Sequence, residues 1–202
     1  MQYDKDLLAH KLQRWDQYIS NYRLPEWDAI PDFGLYMDQV VILLEKYLTF
    51  IPDPSGNKDR FITSAIINNY VRLKIMPAPI KRKYHRVHIA YLIMILTLKQ
   101  SLSISDVQKI IPSNLSDEDI KAVYQAYSAK FHKLALFFIH QVEDAASDIN
   151  NPENDITNTA GLFIIESALI AGFAKILAEK LLRLSDADSD ETLANEISRD
   201  NR

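Results

Sequence analysis

Eight apolar residues, Ile120, Tyr124, Tyr127, Phe131, Leu134, Phe138, Val142 and Ala145, follow one another at steps of four and three. Only an α-helix brings such positions onto one face. A seam kept up over so many turns needs a partner helix to cover it. The chain is therefore expected to be a set of packed helices. Composition agrees: 202 residues, 48% hydrophobic, supply a sizeable core, and only four are glycine. No cysteine is present, which excludes a disulfide framework, a thiolate metal site and a thiol nucleophile.

Other helices are marked by the same periodicity. Leu8, Leu12, Trp15 and Ile19 predict one over 4–20, and a second is expected over 35–50. Between them LPEWDAIPDFG breaks the period with Pro25, Pro31 and Gly34 and reads as a connector with aromatic anchors. PDPSGNKD forms a loop. Thr63 is a good N-cap for a short helix over 64–74, and Pro77 and Pro79 then force extended backbone. An apolar helix follows over 86–100, and a short one ends at Pro112. Ser116 and Asp119 suit a capping box for the long helix to about 149. The last helix, 156–184, is apolar on most of its surface, as expected if neighbours bury it. The tail from 185 to 202 is acidic, serine-rich and expected to be disordered. Four parts result: an arm and connector over 1–34, a compact unit over 35–115, a helical dimerising region over 116–184, and the tail over 185–202.

Charge is segregated. Residues 58–88 hold Lys58, Arg60, Arg72, Lys74, Lys81, Arg82, Lys83 and Arg86 against one acid, Asp59, while the rest of the chain has 15 basic and 26 acidic residues. A cationic segment in an anionic chain points to a polyanion. The order of helix, loop, short helix, proline-rich strand-like piece and helix is the layout of a winged helix-turn-helix. On the short helix Ile66, Ile67, Tyr70 and Leu73 can face a core, leaving Ser64, Asn68, Asn69 and Arg72 toward base edges. Lys74, Lys81, Arg82, Lys83 and Arg86 would neutralise phosphates.

The stretch NNYVRLKIMPAPIKRKYHRVHIAYLIMILTLKQSLSISDVQKII resembles the DNA-binding domain of MerR-type regulators, with Tyr70, Pro77, Tyr84, Leu92, the Lys99–Gln100 pair and the 104–111 segment at matching offsets. That resemblance implies a recognition helix, a wing and a long dimerisation helix after the domain. The chain departs from it at Asn68 and Asn69, where an Arg-Tyr run is usual, at His85, and in a wing without glycine. A closer resemblance, over about residues 12–115, is to an uncharacterised family of Gram-positive bacterial proteins, a MerR-like domain of unknown function. LPEWDAIPDFGLYMDQV and INNYVRLKIMPAPIKRKYHRVHIAYL carry it.

Little else carries chemistry. His85 and His88 lack a third metal ligand nearby, and the Asp53-Ser55-Asn57-Asp59 run has Lys58 and Ser64 where a calcium loop needs Gly and Glu. No catalytic constellation or cofactor motif is seen, so neither an enzyme nor a cofactor is expected. Glu166, inside an apolar helix, reads as a salt-bridge partner of Lys175 or Lys180, a partner across a dimer, or a carboxylate in an effector pocket. Glu166 and Lys175 interrupt the apolar run 160–178, and the N-terminus is charged from the start, so no membrane association is expected. The expectation is a cytoplasmic homodimer that binds double-stranded DNA. The alternative is a helical adapter that keeps the fold and binds another protein.

Overall fold

The computed structural model describes residues 4, 7, 8, 10, 11, 14, 23–51, 62–150 and 156–185. The expected first helix, the 52–59 loop and the acidic tail therefore lie largely or wholly outside the described residues. The protein is mainly helical. Among the described residues a 3-10 turn, Trp27–Ala29, precedes helices α1 (Met37–Tyr47), α2 (Ser64–Arg72), α3 (Arg86–Leu98), α4 (Ile104–Ile110), α5 (Asp117–Asn150) and α6 (Ile156–Ser185). Among the described residues there is no strand, only two isolated antiparallel bridges, Leu35 with Tyr84 and Ile80 with Lys83.

The starts of three helices follow from single hydroxyls. The Ile66 amide donates to Thr63 Oγ1 at 3.3 Å, the Asp106 amide to Ser103 Oγ and the Asp119 amide to Ser116 Oγ, both at 3.2 Å. Each occupies one of the backbone donors a helix start leaves open.

α3 is the axis of the fold. His88 through Leu96 are all buried, nine residues in a row, which only a helix enclosed on every side can achieve. α1 covers it with Val40, Val41 and Leu44, and α5 with Ile120 and Tyr124, while α2 packs on α1 through Ile67 and Tyr70. Each fully buried Ile or Leu contributes about 1.5–3 kcal/mol relative to exposure. Buried hydroxyls find carbonyls: Tyr91 donates to Pro112 and Tyr124 to Pro25, each at 2.7 Å. Burial pushes the Tyr124 hydroxyl well above the usual tyrosine range, so it stays a donor. Its ring lies 5.9 Å from Trp27, and together these contacts tie the connector to α5. Leu24, Trp27 and Ile30 are the connector's anchors, whereas Phe33 is exposed.

The two ends of α5 differ. Ile120, Tyr124, Tyr127 and Phe131 carry the expected seam onto the core, but farther on Leu134 and Phe138 are exposed, as is Phe137 beside them, before Val142 of the seam is buried again together with Ile139. α6 corrects the sequence expectation more sharply. In its apolar stretch Thr159–Leu184, only 6% of the most apolar 18-residue window is buried. Periodicity records that a surface is apolar, not what covers it. By length and composition this helix could also cross a membrane.

Candidate nucleic-acid interface

α2 ends two residues short of the expected 74, and the way it ends is informative. The Lys74 amide donates to the Val71 carbonyl at 3.0 Å and the Ile75 amide to the Tyr70 carbonyl at 3.1 Å, with Lys74 at φ 57°. This is the paired-bond C-cap in which the residue just past the helix turns left-handed, a place that favours glycine. The buried Ile75 completes it.

Seven residues on, the chain reverses. Ile80 and Lys83 exchange both backbone hydrogen bonds, at 3.0 and 2.9 Å, around Lys81 at φ 49° and Arg82 at φ 64°. Positive φ at both central residues defines a type I′ hairpin turn, normally built from Asn-Gly or Gly-Gly. Among the described residues Lys74, Lys81 and Arg82 are the non-glycine residues with positive φ. All three are basic, exposed and within the cationic segment. Each such conformation costs roughly 1–2 kcal/mol for a residue with a Cβ.

The hairpin is held from below. Leu35 and Tyr84 exchange backbone hydrogen bonds at 2.8 Å each, which brings the chain at Gly34 against the hairpin. A Cβ on Gly34 would meet Lys83 Cβ and Cδ at 2.8 Å, so this glycine is required by space. Lys83 Nζ lies 5.3 Å above the Tyr36 ring. His88 pins the hairpin's other side. Its Nδ1 accepts from the His85 amide at 3.0 Å, which leaves the proton on Nε2 to donate to the Ala78 carbonyl, also at 3.0 Å. Both ring nitrogens are thus engaged by the backbone, and burial lowers the His88 pKa, which favours the neutral ring that this pinning uses.

The sequence-selected residues divide into two sets. Asn68, Arg72, Lys74, Lys81 and Arg82 are exposed, and Lys83 is half-buried. Ser64 is the half-buried first residue of α2. Asn69 is half-buried and its Oδ1 accepts from Arg72 Nη2 at 2.7 Å, which occupies the acceptor a bidentate adenine contact would use. Arg86 faces inward: Nε donates to the Ile30 carbonyl at 2.7 Å, the fork lies 3.5 Å from Asp28 and 3.8 Å from Asp32, and the guanidinium sits 5.8 Å from the Trp27 ring. Its charge fastens the connector to α3. Nothing local in the sequence marks this, because Ile30 is 56 residues away.

Two clefts were not foreseen. One, of about 730 Å³, lies between α2, α3 and α4, with Ile66, Tyr70, Leu96 and Ile104 lining it beside Asn69, Lys99 and Gln100. The other, of about 560 Å³, runs under the hairpin between the connector and the 113–117 turn. Glu166 lines neither; it is exposed on α6. Among the described residues no group of three or more His, Asp or Glu side chains could hold a metal ion.

The family of proteins sharing a domain of unknown function, DUF1836, matches residues 25–129. The chain belongs to the DUF1836 family. The DUF1836 match runs later than the 12–115 resemblance read from the sequence, and its limits have a structural counterpart. It takes in both Pro25 and Tyr124, the two ends of the hydrogen bond that closes the connector onto α5. No curated protein and no solved structure matches the chain.

Proposed function

We propose that this DUF1836 protein is a DNA-binding transcriptional regulator of MerR-like, winged helix-turn-helix type. The hairpin 80–83 would serve as the wing that grips phosphates, and α2 would read the major groove. One observation carries the reading: Lys74, Lys81 and Arg82 occupy three left-handed positions where glycine would cost less. Backbone strain at a cluster of exposed cations is a reason to look for what those cations bind. The order α1, α2, hairpin, α3 supports the same reading. The interface would consist of Asn68 and Arg72 toward bases and Lys74, Lys81, Arg82 and Lys83 toward phosphates. Arg86 and Asn69 act as supports, given their present partners.

The experiment is fluorescence anisotropy with random and genomic duplexes across a salt series. Log-linear weakening with salt by several counterions is expected, with a subset of fragments held more tightly. Lys81→Glu combined with Arg82→Glu should lower affinity for every fragment. Absence of binding by the folded protein at about 50 mM salt refutes the proposal. The uncovered apolar surface of α5 and α6 favours a second reading, a helical adapter that recruits another protein. Binding to that partner would survive the same charge reversals.

A further inference from the structure

We infer that α6 pairs antiparallel with α6 of a second copy of this chain, about a two-fold axis passing beside Phe173. The inference stands on α6 alone and is independent of the DNA reading. Phe173 is 68% exposed, the most exposed of the large apolar residues among those described. Glu166, Phe173 and Lys180 are spaced by seven and so lie along one line of the helix. On either side of Phe173 the same line of surface repeats itself in reverse. Leu169 mirrors Leu177 and Ile170 mirrors Ile176, all four exposed. At the far ends Leu162 mirrors Leu184, at 57% and 56% exposure.

The charges obey the same mirror but with opposite sign. Glu166 and Lys180 each lie about 10 Å from the level of Phe173, given a 1.5 Å rise per residue. Neither has an ion-pair partner among the described residues, whereas Lys175 is already 3.8 Å from Glu179 one turn on. An antiparallel two-fold pairing sets Glu166 of each copy against Lys180 of the other, twice, while Leu, Ile and Phe fill the seam. A closed two-fold contact needs such self-complementarity: residue i meets j and j meets i. A parallel pairing would set Glu166 against Glu166.

A bilayer is the competing occupant for a helix this apolar. Two observations disfavour it. Ala178 and Leu182, near the C-terminal end, pack against the core of the soluble unit. Glu166 and Lys180 would enter lipid unpaired, which is costly.

The test is sedimentation equilibrium of the full chain with paired charge variants. The native protein is expected to be a dimer. Glu166→Lys or Lys180→Glu alone should weaken it by at least about tenfold, because each creates like-charged contacts. The two together should restore it. As the chain has no cysteine, Phe173→Cys should oxidise to a cross-linked dimer, while Phe33→Cys, 64% exposed on the connector, should not. A monomer, a dimer indifferent to both single reversals, or a chain that stays in phosphatidylcholine vesicles through a high-salt wash would each overturn the inference. None of these readouts uses DNA, so failure here and failure of the DNA reading are separable.

Discussion

Replacing the hairpin turn Lys81-Arg82 by Asn-Gly should make the protein more stable and a weaker DNA binder at once. Both residues are exposed, and the turn's two hydrogen bonds are backbone bonds between Ile80 and Lys83, so the substitution leaves the fold's contacts in place. Left-handed backbone costs roughly 1–2 kcal/mol per residue with a Cβ, and Asn and Gly are the residues that tolerate it. Glycine returns about 0.5–1 kcal/mol through the entropy of the unfolded chain. With two residues relieved, the net gain is about 1–3.5 kcal/mol, which raises Tm by about 2–4 °C for each kcal/mol in a chain of this length. Two phosphate contacts per protomer would be lost, lowering the salt slope by about 1.8. Calorimetry and salt-titrated anisotropy on the same variant measure both. An unchanged or lower Tm would refute the strain argument. A higher Tm with an unaltered salt slope would mean that the cations do not touch phosphate, and the proposed wing would fall.

Gly34→Ala forces a Cβ to within 2.8 Å of Lys83 Cβ, which is too near the backbone to swing away. The hairpin must shift, and a net loss of about 1–3 kcal/mol in urea denaturation is expected, because the clash outweighs the gain that Gly→Ala brings through the unfolded state. Acidification should destabilise the protein through His88. Its folded pKa is lowered by burial, against the Ala78 hydrogen bond that raises it, with His85 lowering and Asp117 raising it further. The unfolded chain therefore binds the proton first. The contribution of the neutral ring is complete above about pH 6.5 and is lost as pH falls from there to the folded pKa, by at most about 1.4 kcal/mol per pH unit. Denaturation midpoints near pH 7 and 5.5 should differ less in His88→Gln than in the native protein; an equal difference would remove His88 as the cause.

What the sequence made legible was what depends on neighbours along the chain. Thr63 and Ser116 cap the helices they were expected to cap, because an N-cap needs only a hydroxyl and an amide three residues on. The apolar run of α3 could be read as a buried helix because nothing polar interrupts His88 to Leu96. The hairpin turn and the end of α2 were illegible for the opposite reason. Their signals are glycine or asparagine, and this chain puts Lys74, Lys81 and Arg82 there, so the turn is imposed by tertiary contacts such as the Leu35–Tyr84 bridge. Arg86 counts as a free cation in any local reading and becomes a strut only when Ile30, Asp28 and Asp32 arrive from far along the chain. α6 carried a correct helix and an incorrect burial, since its cover is not part of its own chain on the pairing inferred above.

The acidic remainder of the chain bears on how the proposed contact with DNA would work. Outside residues 58–88 the protein has 26 acidic and 15 basic residues, so a duplex is repelled by most of the surface and attracted by one segment. The four cations assigned to phosphates, Lys74, Lys81, Arg82 and Lys83, would give a salt slope of about −3.6 per protomer if counterion release acted alone. Added salt also screens the repulsion from the acidic surface, which works in favour of binding and flattens the slope. Non-specific affinity should therefore be weak, and approaches that do not lead with the hairpin are penalised. A segregated charge pattern of this kind contributes less to total affinity than a uniformly basic protein would gain, but it fixes the orientation in which the duplex can be met.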